Sequence, residues 1–199
     1  MSKELKESPK VLGLDVSTKT IGCALFDIQT RELLELTHIS PVPKPKVEDK
    51  IEELILKSEI FKNKLIEYQG MGITKVVIEE PLLNSNNIRT IAVLLRFNTL
   101  VTKQIFDTLG LIPVFISTYN SRKFAFPELV RDNGKGKRVL FGGYEKGCDK
   151  KQIIFDLVAK KEPQIQWQYT RNNTLKKENF DQTDAYACVL GYMSQEGIW

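Results

Sequence analysis

Val11-Leu12-Gly13-Leu14-Asp15-Val16-Ser17-Thr18-Lys19-Thr20-Ile21-Gly22-Cys23-Ala24-Leu25 decides how the rest of the chain is read. Two apolar runs flank the short polar turn Ser17 to Thr20, the pattern of a tight β-hairpin. Asp15 sits near the end of the first run. A buried carboxylate is costly unless it meets a cation or a metal, so its position calls for partners elsewhere in the chain.

Working outward, Leu33 to Ile39 supplies a third strand after a turn around Gln29-Thr30-Arg31, and the short connections imply an antiparallel meander. Pro41, Pro43 and Pro45 make a stiff connector that lacks ladder N–H groups. From Val47 to Tyr68 apolar residues recur at helical spacing, ending before Gly70. Lys75-Val76-Val77-Ile78-Glu79-Glu80-Pro81 predicts a fourth strand and Ile112 to Ser117 a fifth. Helices are expected over Ile88 to Leu109, Asp149 to Lys161 and Asp181 to Met193, with Tyr119 to Gly147 irregular and Pro163 to Glu178 a polar loop. This order implies an α/β fold. Its mixed five-stranded sheet, a three-strand meander plus two parallel strands, carries helices on both faces. Residues 1–10 read as an N-terminal extension and 11–199 as one domain.

The 199 residues include 27% charged and 42% hydrophobic side chains, ordinary for a chain with a packed core. A net charge of +4 leans mildly towards polyanionic partners. Cys23, Cys148 and Cys188 are scattered and odd in number, so they read as free thiols, two of them core fillers, and not as a zinc site. One histidine, His38, provides no visible Ser-His-Asp relay. The charged N-terminus is no secretory signal, and no apolar run approaches the ~18 residues of a membrane span. A cytoplasmic protein with no membrane contact and no small-molecule cofactor is expected, in a bacterium or in the host of a phage.

Besides Asp15, three acids sit where burial is costly. Glu79 ends the fourth strand. Asp181 and Asp184 open the last helix at a spacing of three, which puts both on one face. Taken alone, Asp181 reads better as a helix N-cap, with Asp184 adding first-turn charge. Strand alternation lets only one of Glu79 and Glu80 face a given side. Together, oxygen-only donors from two strands and a helix suit Mg²⁺ or Mn²⁺.

Leu12-Gly13-Leu14-Asp15-Val16-Ser17-Thr18-Lys19-Thr20-Ile21-Gly22 resembles the opening motif of RuvC-type Holliday junction resolvases, within the RNase H-like nuclease superfamily, which has phage and viral members. Val77-Ile78-Glu79-Glu80 is similar to that family's second acidic motif, and Asp181-Gln182-Thr183-Asp184-Ala185 to its terminal D-x-x-D-A motif. The resemblance runs from about Val11 to Met193. It implies a homodimeric, metal-dependent endonuclease that nicks branched DNA symmetrically and leaves 5′-phosphate and 3′-hydroxyl ends. By position, Asp15, Glu79, Asp181 and Asp184 would hold two metal ions. Lys150 falls where such enzymes carry a functional lysine near the scissile phosphate.

Two departures stand out. Pro81-Leu82-Leu83 occupies the place where the family often has a base-contacting aromatic residue. Residues 125–147 read as a basic insertion. From Tyr119 to Lys151, nine basic residues stand against four acids, and Arg122, Lys123, Lys135, Lys137, Arg138 and Lys151 are the expected DNA contacts. Interleaved Tyr119, Phe124, Phe126, Phe141 and Tyr144 are candidates for stacking on bases. Three alternatives keep the fold: a ribosomal-RNA maturation nuclease, a general debranching nuclease, or a non-catalytic junction-binding protein. An actin-like kinase, which also pairs a first-strand Asp with a Ser/Thr turn, needs a second domain for which 199 residues leave no room.

Overall fold

A computed structural model describes residues 8–81 and 87–198. Most of the N-terminal extension, and Leu82 and Leu83 after the second acidic motif, lie outside the described residues. Strands β1 (Lys10–Val16), β2 (Ile21–Asp27) and β3 (Leu33–Ile39) form the antiparallel meander. Ser17 locks the first turn, its hydroxyl donating to the Thr20 carbonyl at 2.8 Å and accepting the Thr20 N–H at 3.0 Å. Strands β4 (Ile73–Glu79) and β5 (Val114–Ile116) add in parallel beyond β1, giving the order β3-β2-β1-β4-β5. The first strand is therefore central, paired along both edges. Helices α1 (Lys50–Glu67) and α2 (Ile88–Leu109) cover one face of the sheet. Helices α3 (Thr118–Ala125), α4 (Lys150–Lys161) and α5 (Glu178–Gln195) lie on the other. Among the described residues no helix is long and apolar enough to cross a membrane.

Strand alternation sorts the side chains between two cores. Leu12, Leu14, Ile21, Cys23, Leu25, Val76 and Ile78 pack towards α1 and α2. Val11, Ala24, Phe26 and Val77 pack towards α5. Asp15 shares the parity of Val11, and Glu79 that of Val77, so both carboxylates face α5. Glu80 has the opposite parity.

Three glycines let α5 sit unusually close. A Cβ on Gly13 would lie 2.3 Å from Val189 Cγ2 and 2.6 Å from the Ala185 carbonyl oxygen. On Gly22 it would meet the Asp181 carbonyl at 2.0 Å, and on Gly191 the Ser121 carbonyl at 2.5 Å. The helix thus rests backbone-to-backbone on β1, β2 and α3, and along its length only Gln195 is exposed.

The structure departs from the sequence reading in two places. The last helix begins at Glu178, three residues before Asp181, so Asp181 lies within the first turn and is no N-cap. The segment expected to be irregular holds α3, a 3₁₀ turn (Pro127–Leu129) and a separate hairpin of β6 (Val130–Asp132) and β7 (Arg138–Leu140). Strands of three residues show too little alternation to be read from sequence. The hairpin is rooted by buried Leu129 and Phe141, while 131–139 are exposed.

A methyl group at Gly22 has no room against helix backbone. Gly22→Ala is expected to lower stability by about 1–3 kcal/mol, read by urea unfolding, whereas Lys135→Ala on the exposed hairpin tip should change it by no more than about 0.5 kcal/mol.

Candidate functional site

The parallel register places Leu14 beside Ile78, so Asp15 and Glu79 follow one another across adjacent strands at the C-terminal end of β1 and β4. The first turn of α5 brings Asp181, and Asp184 follows one turn on, over the same end of the sheet. The close contact at Gly22 fixes how near that turn approaches.

Two cations enter from the neighbouring helices. Arg122 of α3 donates from Nη2 to Asp184 Oδ1 at 2.9 Å. Lys151 of α4 places Nζ 3.2 Å from Asp184 Oδ2 and 3.8 Å from Asp181 Oδ1. Each oxygen of the buried Asp184 therefore faces a different positive charge. The Thr118 hydroxyl donates to Glu79 Oε1 at 2.7 Å, while Glu79 Oε2 is buried with no hydrogen-bond partner among the described residues. As they stand, no three acidic, histidine or cysteine side chains among the described residues are arranged to clasp a metal ion.

The electrostatics follow from burial and crowding. Burial, then the charges of Glu79, Asp184 and Asp181, push the Asp15 carboxyl well above the usual carboxylate range, with Lys151 opposing. Glu79 is raised to about 7, first by burial and then by Asp184, against the Thr118 hydrogen bond and the charges of Arg122 and Lys151. Burial also raises Asp181, with Lys151 acting the other way. Lys151 is disfavoured as a cation by burial but more strongly favoured by Asp184, Asp15 and Asp181, so its pKa rises. Beside the carboxylates opens a cleft of about 560 Å³, lined in part by Ser17, Lys19, Thr20, Lys151, Lys177 and Asp181.

The sequence-predicted residues divide. Asp15, Glu79, Asp181 and Asp184 are brought to one end of the sheet. Lys150 is not at the cluster: its ammonium lies over the Phe141 ring, 5.5 Å from the centroid, and the neighbouring Lys151 is the lysine that reaches the acids. Arg122, expected on the DNA-facing surface, turns inward to Asp184 with its side chain 12% exposed. Lys123 lies 5.0 Å from the Phe124 ring, Arg138 donates to the Val130 carbonyl at 2.9 Å, and Lys135 and Lys137 are exposed at the hairpin tip. Phe126 and Phe141 are buried in the core, which removes them as stacking platforms. Thr118 was missed. Its signal is the Ser117-Thr118 pair that follows β5, where Ser117 caps α3. The ring of His38 lies 2.8 Å from Gln182, between the two α5 acids in sequence.

No protein-family model matches the chain, and no curated protein matches it in sequence. In three dimensions it is similar to the Thermus thermophilus RuvC structure, with 12% identity, 95% of this chain and 97% of that chain covered, and a TM-score of 0.55. It is similar to T. thermophilus RuvC in complex with Holliday junction substrate, with 10% identity, 95% and 96% covered, and a TM-score of 0.55. The yeast mitochondrial Holliday junction resolvase Ydc2 aligns at 13% identity over 94% of this chain and 79% of that chain, with a TM-score of 0.60. At such low identity the likeness is one of architecture: the chain has the RNase H-like fold.

Proposed function

We propose that the chain is a metal-dependent endonuclease that nicks branched DNA, four-way junctions above all, leaving 5′-phosphate and 3′-hydroxyl ends. The observation that carries this reading is the convergence of Asp15, Glu79, Asp181 and Asp184 beside a lysine-lined cleft, on a fold similar to that of junction resolvases. The donor chemistry suits a hard divalent cation, Mg²⁺ or Mn²⁺, because every candidate ligand is a carboxylate oxygen. Glu79 Oε2 adds an acceptor that nothing among the described residues satisfies. Asp15, Glu79, Asp181 and Asp184 are the residues that would hold the metal. Bound ions would supply a water nucleophile at neutral pH and stabilise the departing 3′-oxygen.

The chain's own groups then divide the work. The Thr118 hydroxyl fixes the Glu79 carboxylate. Half-exposed Lys151 reaches from the cleft wall and can pass from Asp184 to an incoming phosphate. Lys19 and Lys177 line the same cleft, where a nucleic-acid backbone would lie. Lys135 and Lys137, together with Lys123 and Arg138, extend the basic surface along the hairpin for a duplex arm. A homodimer fits the outer side of α2, where Ile88, Leu95 and Phe106 recur at helical spacing and are exposed.

Purified protein with Mg²⁺ is expected to nick a synthetic four-way junction at symmetry-related positions. Asp15→Asn should abolish cleavage and keep junction binding. Linear duplex, RNA–DNA hybrid and fork serve as controls, and equal cutting of duplex and junction would overturn the junction reading. Lys135→Ser with Lys137→Ser should lower the slope of log affinity against log salt by about 2 if both contact phosphates; an unchanged slope removes the tip from the interface. Stability carries its own signature. A folded state that holds the Glu79 proton up to a pKa of about 7 is favoured at low pH and loses that advantage as pH rises from the ordinary carboxylate range through neutrality. Glu79 alone should account for a loss on the order of 3 kcal/mol over that window in metal-free protein. Glu79→Gln should make the profile shallower while the raised carboxyls of Asp15 and Asp181 keep the rest of the slope, as read by denaturant titration in EDTA.

A further inference from the structure

The charges at the sheet end do not cancel. Asp15, Glu79, Asp181 and Asp184 contribute four negative charges when ionised, and Arg122 and Lys151 return two. The remainder of two equals the charge of one divalent ion. The two cations are also unlike. Arg122 is 12% exposed, makes a 2.9 Å contact, and carries a guanidinium that no protein environment neutralises. Lys151 is 49% exposed on a flexible stem and its contacts are longer, at 3.2 and 3.8 Å.

We propose that Arg122 is a positioning residue that serves as a fixed internal counter-charge, remaining on Asp184 when metal binds and holding DNA-free protein to one tightly bound divalent ion. The inference rests on the metal reading given above. Lys151 is the exchangeable partner, free to leave when a phosphate arrives and a second ion is called for.

A purely structural role for the pair is poorly motivated. α3 and α5 are already locked together by backbone contact, since a Cβ on Gly191 would stand 2.5 Å from the Ser121 carbonyl. The charge of Arg122 reaches beyond its own partner and counts among the influences that favour ionised Glu79. Its Nε–H is buried without a hydrogen-bond partner among the described residues.

Calorimetric titration of metal-stripped protein with Mn²⁺, without DNA, tests this. Native protein should take up one ion tightly. Arg122→Met, by removing a positive charge a few ångströms from the ligands, should bind Mn²⁺ about tenfold more tightly or take a second ion. Arg122→Lys should stay close to native. A folded Arg122→Met that binds no more tightly overturns the proposal, as do two ions of similar affinity on native protein. If native protein binds no divalent ion, the metal reading itself falls and takes the proposal with it. Should Arg122→Met fail to fold, the unaltered protein decides: the ¹⁵N-labelled Arg122 Nε–H resonance should persist through saturation with Mg²⁺, and its loss to solvent exchange would overturn the fixed pairing.

Discussion

The approach of α5 to the sheet is the constraint on which the rest depends. Helices usually stand off a sheet by the length of their side chains. Here Gly13 and Gly22 remove those spacers at two points, so that helix backbone meets strand backbone at the Ala185 and Asp181 carbonyls. That contact delivers Asp181 and Asp184 to the strand ends that carry Asp15 and Glu79. Pairing of β1 with both neighbours then fixes where Asp15 points. The glycine positions in the opening motif are thus geometric requirements for a site whose other half lies on the last helix.

Bringing the acids together works against folding. Burial and mutual repulsion hold Asp15 and Glu79 above their ordinary range, while the Thr118 hydrogen bond and the charges of Arg122 and Lys151 offset part of this. The protein tolerates this because the surrounding packing is strong: Leu12, Leu14, Val76, Val77 and Ile78 around the two strand ends are fully buried. A local arrangement that lowers stability while concentrating charge is what a binding or catalytic centre looks like when stability and activity compete.

The elements that carry the site were legible because each breaks a pattern. Asp15 and Glu79 stand at the ends of apolar strand runs, alternation lets only one of Glu79 and Glu80 face the site, and the motif resemblance pointed to Glu79. The three-strand meander followed from connection lengths. What escaped was set by tertiary contacts. Lys150 and Lys151 differ by one step of about 100° around a helix, and only the docking angle of α4 decides which faces the acids. Arg122 sits in a stretch whose basic residues look alike in sequence, and its burial comes from α5 packing over it. Phe126 and Phe141 read as stacking candidates because an aromatic residue in a basic segment shows nothing of whether it roots a hairpin. The start of α5 was placed late because Asp181 makes a plausible cap, whereas the helix gains an earlier turn without a capping side chain.

Drawing its acids from the first strand and the last helix also gives the fold a temporal order. A ribosome-bound chain can build the meander and much of the sheet while α5 is still unmade, and during that interval Asp15 and Glu79 stand without Asp181 and Asp184. Any chain broken off before α5 leaves the groove over Gly13 and Gly22 open and the strand ends bare of their helical partners. The cluster exists only once α5 has been made and has docked, so a chain broken off before Asp181 cannot present all four carboxylates together.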